Sequence, residues 1–171
     1  LNDWFTGAWQ GSPSRGELYN DDPRLGDARL CGTTASLCGL ETADTPEKTD
    51  LALRCDLMLH AMMLTQSGLP VLYSGDEFGQ LNDYSYRENP EKWSDSRYVH
   101  RGRFRWDLAE KRSDPETVQG RLFSSLRQLE KLRADHRAFR ADAAAEVFDT
   151  GSNAVLGIRR CFDGELITAV F

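Results

Sequence analysis

Apolar residues in the middle of the chain recur with the spacing of a long helix. Thr45 is a typical N-cap residue, and Pro46 suits the first helical position. Gly68, followed closely by Pro70, supplies the signal that ends a helix. A helix is therefore predicted over residues 46–67. Apolar positions surround most of the circumference in its second half, so we expect that end to be buried on several sides.

A short apolar run follows this helix after one glycine. The sequence LPVLYS at residues 69–74 is almost continuously apolar, which is typical of a buried strand in a parallel sheet. Asp76 and Glu77 stand just past its carboxyl end, where α/β barrels build their sites. Helix, turn and strand together favour an α/β architecture.

The remaining elements lie on both sides of this unit. Residues 1–45 show no sustained period, which predicts an irregular, ordered loop with one short helix near residues 34–40. Residues 80–112 form a long polar loop whose aromatic residues argue for order. A second, amphipathic helix begins at Asp114. Three strands of an antiparallel module follow, over residues 145–149, 154–161 and 165–171, with a tight Asp-Gly turn at residues 163–164.

Composition and charge narrow the class of protein. The 171 residues are 40% hydrophobic and 28% charged, which is ordinary for one globular domain with a core. A formal net charge of -6 argues against a nucleic-acid partner, which would need a basic face. No stretch reaches the roughly 20 apolar residues that span a bilayer, and the start has no signal pattern. We therefore expect a soluble, cytoplasmic protein with no membrane partner.

The four cysteines are scattered along the chain, at Cys31, Cys38, Cys55 and Cys161. The spacing between Cys31 and Cys38 is too wide for a metal-binding CxxC knuckle. Buried free thiols are the preferred interpretation, and a disulfide or a zinc site is the alternative. The sequence predicts no metal site and no organic cofactor.

Four motifs resemble the α-amylase superfamily, glycoside hydrolase family 13. The run LPVLYSGDEFG at residues 69–79 is similar to a strand motif of the whole superfamily. GSPSRG, GDARLCGT and DSRYVHR, at residues 11–16, 26–33 and 95–101, resemble stretches of the amylosucrases. The resemblance implies the C-terminal part of a (β/α)8 barrel, with its seventh helix, eighth strand and eighth helix, followed by the start of an antiparallel β-sandwich domain.

On this resemblance the chain divides into three parts. Residues 1–45 correspond to a loop excursion after the seventh barrel strand, residues 46–140 to the C-terminal part of the barrel, and residues 141–171 to a truncated β domain. The chain opens on Leu1 rather than methionine and closes within an apolar, β-type run. We therefore expect both ends to be cut from a longer protein.

The resemblance implies an enzyme that transfers glucosyl from sucrose to an α-glucan or to water. Such retaining chemistry needs two carboxyl groups roughly 5 Å apart. In the family these groups come from strands that would precede Leu1, so this chain alone is expected to be inactive. Asp76 and Glu77 are adjacent and would point to opposite sides of an extended segment, so we interpret both as structural. An α-glucosidase or trehalose synthase, and a non-catalytic carbohydrate-binding or scaffold module, are the alternatives.

Four arginines are the candidate substrate-binding residues. Arg97 matches an arginine at the base of the family's pocket, where it pairs with an upstream aspartate and can also donate to a sugar hydroxyl. Arg29 and Arg15 resemble arginines that line the acceptor channel, although either could equally brace its own loop through backbone carbonyls. Arg101 and His100 are placed at the rim of the same pocket.

The other two histidines are given structural roles. His60 lies on the predicted buried helix and is interpreted as a satisfied core histidine, whereas His136 is interpreted as a helix C-terminal cap. A single barrel strand and a helix that is apolar on most sides would leave a large exposed patch. We therefore expect a homo-oligomer that buries the face of residues 57–64. Sucrose and α-glucan oligosaccharides are the expected partners of the parent enzyme.

Overall fold

The computed structural model describes residues 1–171 and contains two antiparallel sheets and two long helices. The helices are α1 (Asn2–Thr6), α2 (Thr34–Leu37), α3 (Pro46–Thr65), α4 (Trp106–Ala109) and α5 (Val118–Asp135). The strands are β1 (Glu17–Tyr19), β2 (Arg29–Cys31), β3 (Ala145–Phe148), β4 (Gly157–Phe162) and β5 (Glu165–Val170). None of the helices is long and apolar enough to cross a membrane.

Helix α3 confirms the prediction from its capping residues. The Thr45 hydroxyl accepts a hydrogen bond from the Lys48 N–H at 3.3 Å, which satisfies one of the free donors of the first turn. The helix packs against α5 through a core of three buried leucines, namely Leu53, Leu122 and Leu126. Its outer side is less covered than the sequence predicts, because Met58 is 45% exposed.

Helix α5 begins at Val118, four residues later than predicted, because Thr117 is its N-cap. The Thr117 hydroxyl accepts from the Gly120 N–H at 3.0 Å and donates to the Asp114 carbonyl at 2.7 Å. Residues 114–117 therefore fold back over the first turn of the helix. The glycine inside this turn is needed because the Asp114 backbone lies directly against it.

Gly120→Ala is expected to destabilise the fold, although alanine is the better helix former. A Cβ on residue 120 would lie 1.9 Å from the Asp114 carbonyl oxygen, so the backbone of the preceding turn would have to move. We expect the free energy of unfolding to fall by about 1–3 kcal/mol, as for other overpacked sites. Urea denaturation followed by circular dichroism measures this change. Ser124→Ala, on the exposed side of α5, is the control and should change it by less than about 0.5 kcal/mol.

The predicted parallel strand at residues 69–74 is not formed. No strand is assigned there, and the segment joins neither sheet. Strand structure requires a neighbour that accepts and donates backbone hydrogen bonds, and this chain brings no second parallel strand to the segment. Its apolar side chains are accordingly open to solvent, with Leu69 84% exposed and Val71 77% exposed. The assignment to a barrel strand stays a prediction.

The N-terminal residues contain more regular structure than the sequence predicts. The short helix α2 is confirmed within residues 34–40, but α1 and the hairpin of β1 and β2 were not predicted. Each of these two strands has only three residues, too few to show a period of two. The hairpin places Tyr19 directly opposite Arg29.

Asn82 connects this N-terminal part to the long loop of residues 80–112. Its side-chain oxygen accepts from the Thr33 N–H at 2.9 Å, and its own N–H donates to the Ser36 hydroxyl at 2.9 Å. Its amide nitrogen donates to the Arg15 carbonyl and, at 3.2 Å, to the Tyr84 hydroxyl. The loop is therefore ordered, as its aromatic content indicates.

The C-terminal sheet has the order β3-β4-β5 and confirms the antiparallel module. Asp163 and Gly164 both have positive φ, 50° and 79°, as the predicted two-residue hairpin requires. Arg160 of β4 is completely buried and faces the end of α3. Its guanidinium donates to four backbone carbonyls, those of Thr65, Gln66, Arg140 and Ala143, at 2.6–3.0 Å.

Candidate functional site

Two of the four predicted arginines lie beside one tyrosine, and a third follows in the same loop. Arg29 lies opposite Tyr19 in the hairpin, and the Arg97 guanidinium lies over the Tyr19 ring, 4.2 Å from its centre. Arg101 follows in the same loop as Arg97, and its guanidinium is 5.7 Å from the centre of the Tyr98 ring. We name this group the arginine–tyrosine cluster, and it comprises Tyr19, Arg29, Asp95, Arg97 and Arg101.

A buried core holds the loop of the cluster against the hairpin. Residues Ser96–His100 form a 3₁₀ turn, and within it Val99 is completely buried beside Cys31 and Tyr86. The Ser96 hydroxyl donates to the Leu18 carbonyl at 2.8 Å, which ties the turn to β1. The position of Arg97 is therefore set by packing on one side and by a hydrogen bond on the other.

Within this chain Arg97 pairs with Asp95, and its pairing with an upstream aspartate of the parent enzyme stays a prediction. The Nε and Nη2 atoms donate to the two carboxylate oxygens at 2.8 and 2.7 Å. The hydrogen bond from Arg97 is the main reason that the pKa of Asp95 is lowered to about 2. The carboxylate also accepts from the Arg97 backbone N–H at 3.0 Å. The Nη1 group of Arg97 makes no hydrogen bond and remains a free donor on a side chain that is 39% exposed.

Arg29 and Arg15 differ in what holds them. The Arg29 guanidinium pairs with Asp27 at 2.9 Å on a side chain that is 66% exposed, so it is not tied to backbone carbonyls. Arg15 instead donates to the Ser14 carbonyl at 2.7 Å, as the loop-bracing alternative describes. No hydrogen bond or ion pair joins Arg15 to the arginine–tyrosine cluster. A substrate-binding role for each of these arginines stays a prediction.

A second, buried cluster lies beneath the segment that follows residue 74. His60 of α3 is 5% exposed, and its Nδ1 atom lies 2.8 Å from an Asp56 carboxylate oxygen. Its Nε2 atom lies 3.7 Å from an Asp76 carboxylate oxygen, which is an ion-pair separation. Burial by itself lowers the pKa of His60, but the hydrogen bonds to Asp56 and then to Asp76 outweigh burial and raise this pKa to about 10. The interpretation of His60 as a satisfied core histidine is confirmed.

Glu77 and His136 make the structural contacts that were predicted for them. A Glu77 carboxylate oxygen accepts from the Gly75 N–H at 2.8 Å, which confirms its structural interpretation. His136 is the C-cap residue of α5, as predicted, and its ring lies 2.5 Å from Glu165. His100 packs edge-on against Tyr73 with ring centres 5.7 Å apart. Across the chain, no group of three or more His, Cys, Asp or Glu residues is arranged to hold a metal ion.

The arginine–tyrosine cluster is suited to binding a polyhydroxylated molecule. An aromatic ring offers a flat apolar face, and a guanidinium fixed by a carboxylate offers directed donors to hydroxyl or anionic groups. The contact of Tyr19 with Arg97 is not predictable from the sequence, where Tyr19 is one of several aromatics on an irregular segment. The position of Tyr19 depends on the register of the hairpin, and strands of three residues are too short to show that register as a hydrophobic pattern.

The comparisons with known proteins point to carbohydrate chemistry. No protein-family model matches the chain. Over 117 residues, the chain is 27% identical to glucosylglycerate phosphorylase of Escherichia coli (strain K12). The match takes in 67% of this chain and 20% of that protein, so the chain spans only a small part of the relative. It supports a distant relationship to glycoside hydrolase-related, glucosyl-transferring enzymes and does not single out the amylosucrases.

Proposed function

We propose that the chain belongs to a retaining enzyme that transfers glucosyl units, and that the arginine–tyrosine cluster contacts the sugar substrate. The observation that carries this proposal is the placement of Arg97 on Tyr19. Asp95 fixes two of the guanidinium nitrogens, while Nη1 stays free on a partly exposed side chain. A free, oriented donor beside an aromatic face is what recognition of a sugar hydroxyl requires.

The preferred reaction is transfer of glucosyl from sucrose to an α-glucan or to water, without an organic cofactor. The motifs at residues 11–16, 26–33 and 95–101 support it through their resemblance to the amylosucrases. Retaining transfer requires a carboxylate nucleophile and a carboxylic acid, roughly 5 Å apart. We assign these two groups to other parts of the parent enzyme, so the 171-residue chain by itself should not turn over sucrose.

A second candidate is phosphorolysis, in which inorganic phosphate accepts the glucosyl group. The similarity to glucosylglycerate phosphorylase favours it. The cluster is also compatible with an anionic acceptor, because guanidinium groups bind phosphate oxygens with directed hydrogen bonds. The two reactions share the cluster and differ in the acceptor.

The assay that separates these candidates supplies sucrose to the full-length protein that contains the chain, with and without inorganic phosphate. Fructose release that does not depend on phosphate supports transfer. Glucose 1-phosphate that forms only when phosphate is present supports phosphorolysis. Maltose hydrolysis without sucrose turnover would favour the α-glucosidase alternative. Maltooligosaccharide binding with no turnover of either sugar would favour a non-catalytic module and contradict the proposal.

Arg97→Ala is expected to lower kcat/KM of that full-length protein about 10- to 100-fold, the loss expected when one charged hydrogen bond to substrate is removed. Arg24→Ala is the matched control, because Arg24 forms the same two-residue fork with Asp22 but is 88% exposed and lies outside the cluster. Steady-state kinetics on the preferred donor measure both variants. Equal losses for the two would show that Arg97 has no part in the site.

A further inference from the structure

Two cysteines lie side by side where α2 meets α3. Cys38 is the C-cap residue of α2, and Cys55 lies in the middle of α3. Their side chains come together at this junction, although 16 residues separate them in the sequence. Both side chains line one apolar cavity of about 360 Å³, together with Trp4, Leu37 and Met58. Neither cysteine takes part in the arginine–tyrosine cluster.

The two thiols differ in their exposure. Cys38 is only 7% exposed, whereas Cys55 is half-buried. Leu51 and Met58, which line the same cavity one turn on either side of Cys55, are 62% and 45% exposed. A small reagent can therefore approach Cys55 from the solvent side of α3, while Cys38 lies behind it.

The two thiols also differ in acidity. Because Cys38 donates to Cys55, the pKa of Cys55 is lowered to about 7. The same hydrogen bond, followed by burial, raises the pKa of Cys38. At neutral pH the more accessible sulfur is thus a thiolate for much of the time, which is the form that attacks a disulfide.

We propose that Cys38 and Cys55 form a reversible disulfide by exchange with a small disulfide such as oxidised glutathione. The Cys55 thiolate attacks one glutathione sulfur, which breaks the glutathione disulfide and releases one glutathione thiolate. Cys38 then loses its proton, attacks the Cys55 sulfur and displaces the second glutathione. Two protein thiols are oxidised, and one small disulfide is reduced to two thiols.

The shared cavity wall lets the two side chains meet. The disulfide requires their sulfurs to approach to a bond length of roughly 2.05 Å. The new bond would connect the end of α2 to α3 and close a loop over residues 38–55. We expect it to raise the melting temperature by about 5–10 °C, through the constraint it puts on the unfolded chain.

The test uses the Cys161→Ser chain, because Cys161 is exposed and would react by itself. After treatment with oxidised glutathione, mass spectrometry should show the loss of two hydrogens, and peptide mapping should show a Cys38–Cys55 link that dithiothreitol removes. The Cys38→Ser version of this chain should instead retain one glutathione on Cys55. The Cys55→Ser version should stay unmodified over the same time.

Three results would overturn the proposal. These are two unmodified thiols at residues 38 and 55 after prolonged treatment, glutathione found on Cys38 rather than Cys55, or a link that forms only in urea. The main test is made on the Cys161→Ser chain, which keeps both Cys38 and Cys55. It therefore remains valid even if the Cys38→Ser or Cys55→Ser variant does not fold. The experiment is also independent of the glucosyl-transfer proposal, since it measures no activity.

Discussion

Replacing Arg160 with methionine is expected to lower the free energy of unfolding by about 3–5 kcal/mol, because it breaks a buried charged network. Arg160 is completely buried, and its Nη1 and Nη2 groups donate to four backbone carbonyls. Methionine fills much of the same volume but donates nothing. All four carbonyls would lose a charged donor, and those of Thr65 and Ala143 would lose it at buried hydrogen bonds, where water does not replace it.

The location of these carbonyls explains why a cation without a carboxylate partner is stable there. Those of Thr65 and Gln66 lie at the C-terminal end of α3, which carries the negative end of the helix dipole. Arg133 of α5 also donates to this end, to the carbonyls of Gln66 and Gly68 at 3.2 and 2.8 Å. Both guanidinium groups lie 5.8 Å from the centre of the Phe139 ring. Arg160 therefore attaches the C-terminal sheet to the helical part of the chain.

Urea denaturation of Arg160→Met against the unmodified chain measures the effect, and limited proteolysis near residues 140–144 reports whether the sheet has detached. Arg159→Met is the matched control on the same strand. Its guanidinium lies over the Phe148 ring at 5.1 Å and bonds no carbonyl, so a loss below about 1 kcal/mol is expected. If Arg160→Met lost no more than Arg159→Met, the carbonyl network would not be what holds the sheet.

The elements that could be predicted are those whose signals are local in sequence. Thr45 and Pro46 fix the start of α3, and the Asp-Gly pair at residues 163–164 fixes the last hairpin. The run at residues 69–74 is different, because a strand depends on neighbours that hydrophobicity cannot supply. The buried position of Arg160 could not be predicted, since an arginine in a strand is normally exposed and its carbonyl partners come from two other segments, residues 65–66 and 140–143.

The candidate site could be predicted only in part, because some of its contacts join residues that are distant in the sequence. Motif resemblance pointed to Arg29 and Arg97, which the structure places beside Tyr19, and to Arg101, which it places beside Tyr98. It could not identify Tyr19, whose contact with Arg97 depends on the position of the hairpin against the 3₁₀ turn. Nor could it assign Asp95 as the partner of Arg97, because a carboxylate two residues away reaches the guanidinium only when the turn is formed.

His60→Gln is expected to lower the free energy of unfolding at pH 6.5 by about 3–5 kcal/mol, because it leaves buried Asp56 without its cationic partner. Helix α3 would also lose its ion pair to Asp76, which holds the residues after the apolar segment. Because glutamine keeps a hydrogen-bond donor, the loss of stability reports the loss of the positive charge rather than the loss of a donor.

The pH dependence of the stability difference between the unmodified chain and His60→Gln tests whether the charge of His60 is its cause. Since the pKa of His60 is raised from its ordinary value of 6.5 to about 10, its stabilising contribution is complete below pH 6.5 and disappears as the pH rises through 10. The stability gap between the unmodified chain and His60→Gln should therefore shrink, by on the order of 3 kcal/mol, between pH 6.5 and 10.5. Taking the difference removes the titration of groups that both proteins share, including the nearby Cys38 and His100. A gap for His60→Gln that stayed constant with pH would mean that His60 is held as a neutral ring.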